Sequence, residues 1–136
     1  MSRRKAREVA FKVIYQVDIV KADVIDAFKH TIEEENLPDK DRAFAWQLVS
    51  GCLDNIELID SKISHFSTAW DISRMPSVDR NILRIGAYEI LFTDSSLQAI
   101  PIDEAIEVAK KYSTDNSPGY INAILDKIKG EKECSI

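Results

Sequence analysis

The sequence contains little glycine and little histidine, with four glycines and two histidines among 136 residues. Phosphate-binding loops depend on glycine-rich turns, and proton transfer usually depends on a histidine or on a pair of carboxylates in a cleft. His30 and His65 fall in helical segments among ordinary surface or core residues, where a histidine is usually solvated or packed. We therefore expect no enzymatic activity and no bound cofactor.

Cysteine and long apolar runs are equally scarce. Cys52 and Cys134 lie 82 residues apart and form no CxxC motif, so we expect neither a disulfide nor a metal site. The longest apolar runs have three to five residues, whereas a membrane-spanning helix needs about 20. The first residues also lack the apolar segment of a secretory signal. We expect a cytoplasmic protein with no membrane partner.

Apolar residues recur at intervals of three and four residues through most of the chain, a pattern typical of amphipathic helices. We find no credible strand, and 136 residues with 45% apolar composition suit one domain, residues 1–136, with one core. The sequence therefore predicts an all-α fold, with a joint between two halves near residues 66–80. The predicted helices cover 3–20, 23–35, 40–65 and 78–92, with one more introduced by Pro101 and a last one capped by Ser117.

Two features of the predicted helices concern packing. Gly51 lies inside the third helix, where glycine is about 1 kcal/mol less favourable than alanine; a close crossing with another helix would explain its presence. The helix over 78–92 carries apolar residues on more than one face, which predicts a central helix packed on several sides.

The most distinctive feature that is present is a basic head on an acidic chain. The stretch SRRKAREVAF opens a sequence whose net charge is −5, and it includes Arg3, Arg4, Lys5 and Arg7. Cations at a helix N-terminus face the positive end of the helix dipole, so we expect an anion to compensate them. Arginine binds phosphate and stacks on bases, which suits single-stranded RNA. The alternative is a solvated charged surface.

A second candidate anion site precedes the last predicted helix. The free amides after Ser117 can receive a phosphate, Asn116 can bond a base edge, and Tyr120 can stack on a base. Asp115 argues against an anion very close by. The alternative is a plain capped helix whose Tyr120 covers the core.

The same segments carry a resemblance to the NusB family of transcription antitermination factors. The motifs are RRKAREVAFKVIYQVD, RMPSVDRNILRIGAYEILF and IDEAIEVAKKYSTDNSPGYINAILDKI, and the resemblance extends from residue 3 to about 128. It implies a NusB-like fold of about six or seven helices in two small bundles packed side by side, covering about 1–70 and 71–130. It also implies binding to the boxA element of nascent ribosomal RNA operon transcripts, together with the ribosomal protein NusE, in an antitermination complex on RNA polymerase.

The resemblance also implies where these partners bind. RNA would contact Arg3, Arg4, Lys5 and Arg7 and run toward the turn at Asp115, Asn116, Ser117 and on to Tyr120. For NusE the candidates are Tyr15, Asp79 and Arg80, although Asp79 could equally be a helix cap.

The chain departs from the family pattern at two positions of SPGYINA. Gly119 stands where the family often has Lys, which removes one possible phosphate contact and shifts the expected grip toward Lys110 and Lys111. Ala123 replaces a Gly, and we expect this change to affect helix packing only.

Two other function classes are compatible with parts of the sequence. The chain could be a helical adaptor or a homodimer module that never touches RNA; charge reversal at the basic head would separate this from the RNA-binding hypothesis. A related helical domain precedes the catalytic domain of some ribosomal RNA methyltransferases, but 136 residues leave no room for that second domain.

Overall fold

The computed structural model describes residues 2–67, 71–93 and 99–134. This part of the chain is built of α-helices, which confirms the predicted all-α class with six or seven helices. The helices are α1 (Ser2–Val20), α2 (Val24–Glu34), α3 (Asp39–Asp54), α4 (Ile56–Phe66), α5 (Ser77–Phe92), α6 (Ala99–Tyr112) and α7 (Ser117–Cys134), with a short 3-10 helix at Ile72–Arg74. None of the described helices is long and apolar enough to cross a membrane.

Helix α5 lies at the centre of the packing, as its apolar pattern predicts. It contacts α1, α3, α4, α6 and α7, whereas α1 also packs against α2 and α3, and α6 packs against α7. Leu83, Ala87 and Ile90 on α5 have no solvent exposure, because neighbours cover the helix on several sides. The division of the chain into two sub-bundles at about residue 70 stays a prediction.

The crossing of α3 and α5 explains Gly51. A methyl group added at Gly51 would lie 2.5 Å from the hydroxyl oxygen of Tyr88, which is closer than real contacts allow. The ring of Tyr88 therefore occupies the space that any other side chain at position 51 would need. The predicted close helix crossing at Gly51 is confirmed.

The prediction of one helix over 40–65 is wrong, because α3 ends at Asp54 and α4 begins at Ile56. At the break, the side-chain amide of Asn55 donates to the Gly51 carbonyl at 2.8 Å. Such local side-chain bonds compete with the regular helix ladder. The apolar pattern still continues across the break, because Cys52 and Ile59 are buried on both sides of it.

The starts of the last two helices differ slightly from the prediction. Helix α6 begins at Ala99, so Pro101 lies within its first turn, where a missing backbone N–H is tolerated. Helix α7 begins at Ser117 itself, one position earlier than a capping role would place it. Ala123 is exposed on α7, so the expected effect of this residue on helix packing is wrong.

Candidate nucleic-acid interface

A groove of about 370 Å³ separates the N-terminal half of α1 from α6. We call it the α1/α6 groove. Arg4 and Glu8 are one turn apart on α1, and Glu107 and Lys110 are nearly one turn apart on α6. Each pair therefore shares one face of its helix, and these two faces form the walls of the groove. Its lining residues are Arg4, Glu8, Glu107, Val108, Lys110 and Lys111. The groove therefore joins part of the predicted basic head to the two lysines that end α6.

Arg4 lies at the open rim of this groove and makes a two-pronged ion pair. Its Nε donates to both carboxylate oxygens of Glu104 at 3.1 Å, and its Nη2 donates to Oε2 at 2.8 Å. The Arg4 side chain is 55% exposed, whereas that of Glu104 is 12% exposed. Solvent thus reaches the outer side of the guanidinium while the carboxylate holds its inner side.

Arg7 turns inward instead. Its Nε and Nη2 each donate to one oxygen of Glu89 on α5 at 2.8 Å, and both side chains are largely buried. Glu104 lies 3.8 Å away as a second, weaker partner. Arg7 therefore joins α1 to α5 in the core rather than presenting a cation to solvent.

The two remaining cations of the head point to other neighbours. The guanidinium carbon of Arg3 lies 3.9 Å from the centre of the Phe44 ring on α3, a cation–π distance. The Lys5 ammonium lies 2.9 Å from Glu35, which Lys12 also contacts at 2.5 Å. Hydrogen bonds from Lys12 and then Lys5 lower the pKa of Glu35 to about 2.

Three of the four head cations are therefore linked, because Arg7 shares Glu104 with Arg4 and the Phe44 ring with Arg3, whereas Lys5 pairs separately with Glu35. The compensating anions of Arg4, Arg7 and Lys5 are carboxylates of the same chain: Glu104, Glu89 and Glu35. The cations stand out in the sequence, but these partners do not, because they are 30 or more positions distant along the chain. RNA contacts at Arg3, Arg4, Lys5 and Arg7 stay predictions, and exposure favours Arg4 over Arg7.

Glu8 is a fourth carboxylate whose role the sequence did not reveal. It is 7% exposed and accepts hydrogen bonds from the Lys111 ammonium at 3.0 and 3.1 Å and from the Tyr112 hydroxyl at 2.9 Å. The available signal was its position as the one acid among the first twelve residues, one turn from both Arg4 and Lys12. Glu8 holds the end of α6 against α1 and positions Lys111 over the groove.

The turn between α6 and α7 is anchored from below by Asp79. The carboxylate of Asp79 accepts hydrogen bonds from the hydroxyls of Ser113 and Ser117, the latter at 2.9 Å. Asp79 is 4% exposed and Ser117 is also 4% exposed. Asp115 and Asn116 are exposed between these two serines. The turn thus presents Asp115 and Asn116 to solvent on a fixed base.

Tyr120 follows on the first turn of α7 and is half-buried. Its hydroxyl oxygen lies 2.6 Å from the Ser67 hydroxyl, and its ring packs against the core. Burial raises the pKa of Tyr120, since it penalises the charged phenolate. This packing favours the alternative that Tyr120 covers the core.

The predicted partner residues differ in how much of them a partner could reach. Tyr15 lines a second groove of about 310 Å³, which α1 forms with the end of α2, the start of α5 and the end of α6; Phe11, Val78 and Tyr112 also line it. Asp79 is buried beneath the turn. Arg80 has a side chain only 13% exposed, and it donates to Asp18 at 2.7 to 2.9 Å.

Arg80 belongs to an ion-pair network that joins α1, α4 and α5. Arg84 makes two bonds of 2.8 Å to Asp60 and lies 3.2 Å from Asp18. Burial alone would raise the pKa of Asp18, but hydrogen bonds from Asn81 and Arg80 and the charges of both arginines lower it overall. This network fixes the start of α5 and holds Arg80 within the fold.

Comparison with known proteins gives consistent results along the whole chain. A family model described as the NusB family matches residues 4–129. A transcription antitermination protein NusB from Syntrophomonas wolfei subsp. wolfei is 52% identical over 97% of this chain and 98% of its own length.

Solved structures agree. A chain from the crystal structure of a plectonemic RNA supercoil is 30% identical and superposes with a TM-score of 0.94, covering 100% of this chain and 99% of its own. A chain from the crystal structure of antitermination factors NusB and NusE in complex with dsRNA is 30% identical, with a TM-score of 0.88 and coverage of 96% and 97%.

Proposed function

Because the chain belongs to the NusB family, we propose that it is an RNA-binding transcription antitermination factor. In this role it binds the boxA element of nascent ribosomal RNA operon transcripts together with NusE and joins the antitermination complex on RNA polymerase. The proposed factor acts in the cytoplasm and catalyses no reaction. The name of the 52% identical relative and the complex of NusB, NusE and dsRNA support this assignment.

The observation that supports RNA binding most directly is the set of exposed cations along the α1/α6 groove. The side chains of Arg4, Lys110 and Lys111 are 55%, 61% and 57% exposed, and all three line this groove. Exposed cations along one groove can contact the phosphates of an RNA strand, and such contacts position the strand without reading its sequence.

The proposed RNA path continues from Lys111 to the turn between α6 and α7. Asn116 is exposed there and offers an amide that can bond a base edge. Gly119 adds no side chain beyond this turn, and a methyl group added there would face open space. The backbone grip in this chain therefore depends on α6 rather than on the start of α7.

For NusE, the second groove is the proposed contact surface. Tyr15 and Tyr112 give it aromatic walls, and such amphipathic rings are enriched in protein interfaces. Tyr15 is the predicted partner residue that a second protein can reach most readily, since Asp79 is buried and Arg80 is held by Asp18. The acid excess outside the basic head favours encounter with a basic ribosomal protein.

Fluorescence anisotropy with labelled RNA tests the proposal. Single-stranded boxA RNA, a scrambled strand and a duplex are titrated with the protein, with and without NusE. We expect the boxA strand to bind most tightly, and NusE to strengthen that binding further. Equal affinity for all three RNAs, with NusE still bound, would favour the alternative of a helical adaptor.

Charge reversal of a groove lysine tests whether RNA binds in the α1/α6 groove. Lys110→Glu should abolish most RNA binding and leave NusE binding intact, because Lys110 is exposed in the groove and its ion pair with Glu107 lies on the surface. Lys29→Glu on the exposed side of α2 is the matched control with the same change of net charge. An equal loss of RNA affinity in both variants would contradict the assignment of the groove.

A further inference from the structure

Each exposed cation of the α1/α6 groove is paired with a carboxylate of the same chain. Arg4 contacts Glu104, Lys110 lies 3.4 Å from Glu107, and Lys111 lies 3.0 Å from Glu8. The carboxylates of Glu104 and Glu8 are 12% and 9% exposed, so they lie beneath their cations. An RNA strand entering the groove therefore meets charges that are already neutralised.

The three pairs are not equivalent. Glu8 also accepts the Tyr112 hydroxyl, which makes it part of the contact between α1 and α6. Glu107 makes one long contact within a single turn of α6, and exposed pairs of this kind contribute little. Glu104 differs from both, because its carboxylate takes two different nitrogen donors of its cation, Nε and Nη2 of Arg4.

Glu104 occupies the edge of Arg4 that a phosphate would use. Arginine binds carboxylate and phosphate through the same fork of parallel N–H donors. The carboxylate of Glu104 takes both Nε and Nη2 of Arg4. A phosphate must therefore displace the carboxylate or accept the weaker outer side of the guanidinium beside a negative charge.

Glu104 is not required to neutralise the buried arginine nearby. Arg7 has two bonds of 2.8 Å to Glu89, whereas its distance to Glu104 is 3.8 Å. Removing the charge of Glu104 therefore leaves Arg7 paired. The carboxylate is better explained by its effect on Arg4.

Resting on the proposed RNA-binding function, we propose that Glu104 competes with RNA phosphate for Arg4 and thereby sets the strength of the sequence-independent grip. The competition weakens binding to every RNA strand by a similar factor. Binding of unrelated transcripts then falls, while boxA RNA is still held by base contacts and by NusE. Glu104 is thus an affinity-setting residue of the RNA surface.

The test is anisotropy with boxA and scrambled RNA across a salt series, comparing the wild-type chain with Glu104→Gln. We expect the variant to bind both RNAs roughly three- to fivefold more tightly, the scale of one released exposed charge pair. The salt dependence should steepen by about 0.7 in log–log slope, corresponding to one additional phosphate contact.

Two matched variants isolate the cause. Glu57→Gln on exposed α4 changes the net charge equally and should leave RNA affinity within about twofold of wild type. In an Arg4→Ala background, the gain in RNA affinity from Glu104→Gln should shrink to that of the Glu57→Gln control. The reason is that the cation for which Glu104 and phosphate compete is then absent. A gain that persists without Arg4 would overturn the inference.

Thermal unfolding separates competition from a merely structural role. If Glu104 only holds α1 against α6, Glu104→Gln lowers the unfolding midpoint and weakens RNA binding together, which overturns the inference. Glu104→Asp provides a second variant that keeps the charge but shortens the reach to Arg4, and it should show a smaller gain. If the wild-type chain binds RNA and neither variant binds it more tightly, the inference is overturned and the proposed function stands. Absence of RNA binding by wild type and variants at low salt would overturn the proposed function as well.

Discussion

Replacing Arg7 with alanine tests whether this residue of the basic head stabilises the fold rather than binding RNA. From sequence, Arg7 is one of four equivalent cations, whereas the fold places it against Glu89 with both side chains largely buried. Arg7→Ala would leave the Glu89 carboxylate, 5% exposed, without its partner in the core. We therefore expect a large loss of stability, and any loss of RNA affinity to follow from unfolding.

The structure sets the size of this effect. Removing one partner of a buried ion pair destabilises a protein by about 3–5 kcal/mol, because the remaining charge is buried without compensation. A domain of this length has a free energy of unfolding of roughly 7–20 kcal/mol. At about 2–4 °C per kcal/mol for a domain of this size class, the unfolding midpoint should fall by roughly 6–20 °C.

Arg4→Ala is the matched comparison, because Arg4 makes an equally bidentate pair at a position that is 55% exposed. Exposed pairs are worth about 0–1 kcal/mol, so the midpoint should move by only a few degrees. Thermal unfolding followed by circular dichroism, with denaturant unfolding in parallel, gives both values.

A second substitution tests the physical cause. If the unpaired charge is responsible, Glu89→Gln in the Arg7→Ala background should recover part of the lost stability. Equal, small destabilisation by Arg4→Ala and Arg7→Ala would refute the reasoning, as would a folded Arg7→Ala protein that has lost only RNA binding.

Two further substitutions test packing and pH dependence. Gly51→Ala should lower the free energy of unfolding by about 1–3 kcal/mol, because the added methyl group overlaps Tyr88. Gly130→Ala, with open space around it, should raise the free energy of unfolding slightly. Equal effects of the two substitutions would contradict the close helix crossing at Gly51. Because Lys12 helps lower the pKa of Glu35 from 4.5 to about 2, the Glu35 carboxylate stabilises the fold above about pH 5 and loses this effect as pH falls toward 2. Wild type should therefore exceed Glu35→Gln in unfolding midpoint at pH 6, and the difference should disappear near pH 2; a gap that does not change with pH would contradict this.

The helical framework could be read from the sequence because apolar spacing and packing agree along most of the chain. Residues 3–20 and 78–92 were predicted as helices, and α1 and α5 follow these bounds within one residue. The close crossing at Gly51 was also predictable, since an interior helical glycine needs a packing reason. The NusB family assignment from three motifs is confirmed by the family match over residues 4–129.

The break at Asn55 could not be predicted from periodicity. The buried positions on either side keep the same spacing, so the apolar pattern is continuous while the backbone is not. A single side-chain amide bonding the Gly51 carbonyl decides the difference. Asn is disfavoured in helix interiors and favoured at helix ends, but a single Asn within a continuous apolar pattern is a weak signal for a break.

The cations of the candidate site could be predicted from the sequence, whereas the carboxylates that pair with them could not. Arg4 and Glu104 are 100 positions apart, and Arg7 and Glu89 are 82 apart, so only the fold brings them together. The same holds for Asp79, which sequence suggested as a partner contact and which instead anchors the turn that carries Asn116. Charge patterns along a sequence identify candidate surfaces, but the three-dimensional pairing decides which charges remain available.

The most direct test of the proposed RNA surface is a two-dimensional NMR titration of the ¹⁵N-labelled protein with single-stranded boxA RNA. We predict that the amide signals which shift most belong to the start of α1, the end of α6 and the turn at Ser113–Ser117, while those of α4 hardly move. Absence of shifts, or shifts centred on α3 and α4, would contradict the proposal that the α1/α6 groove holds the RNA.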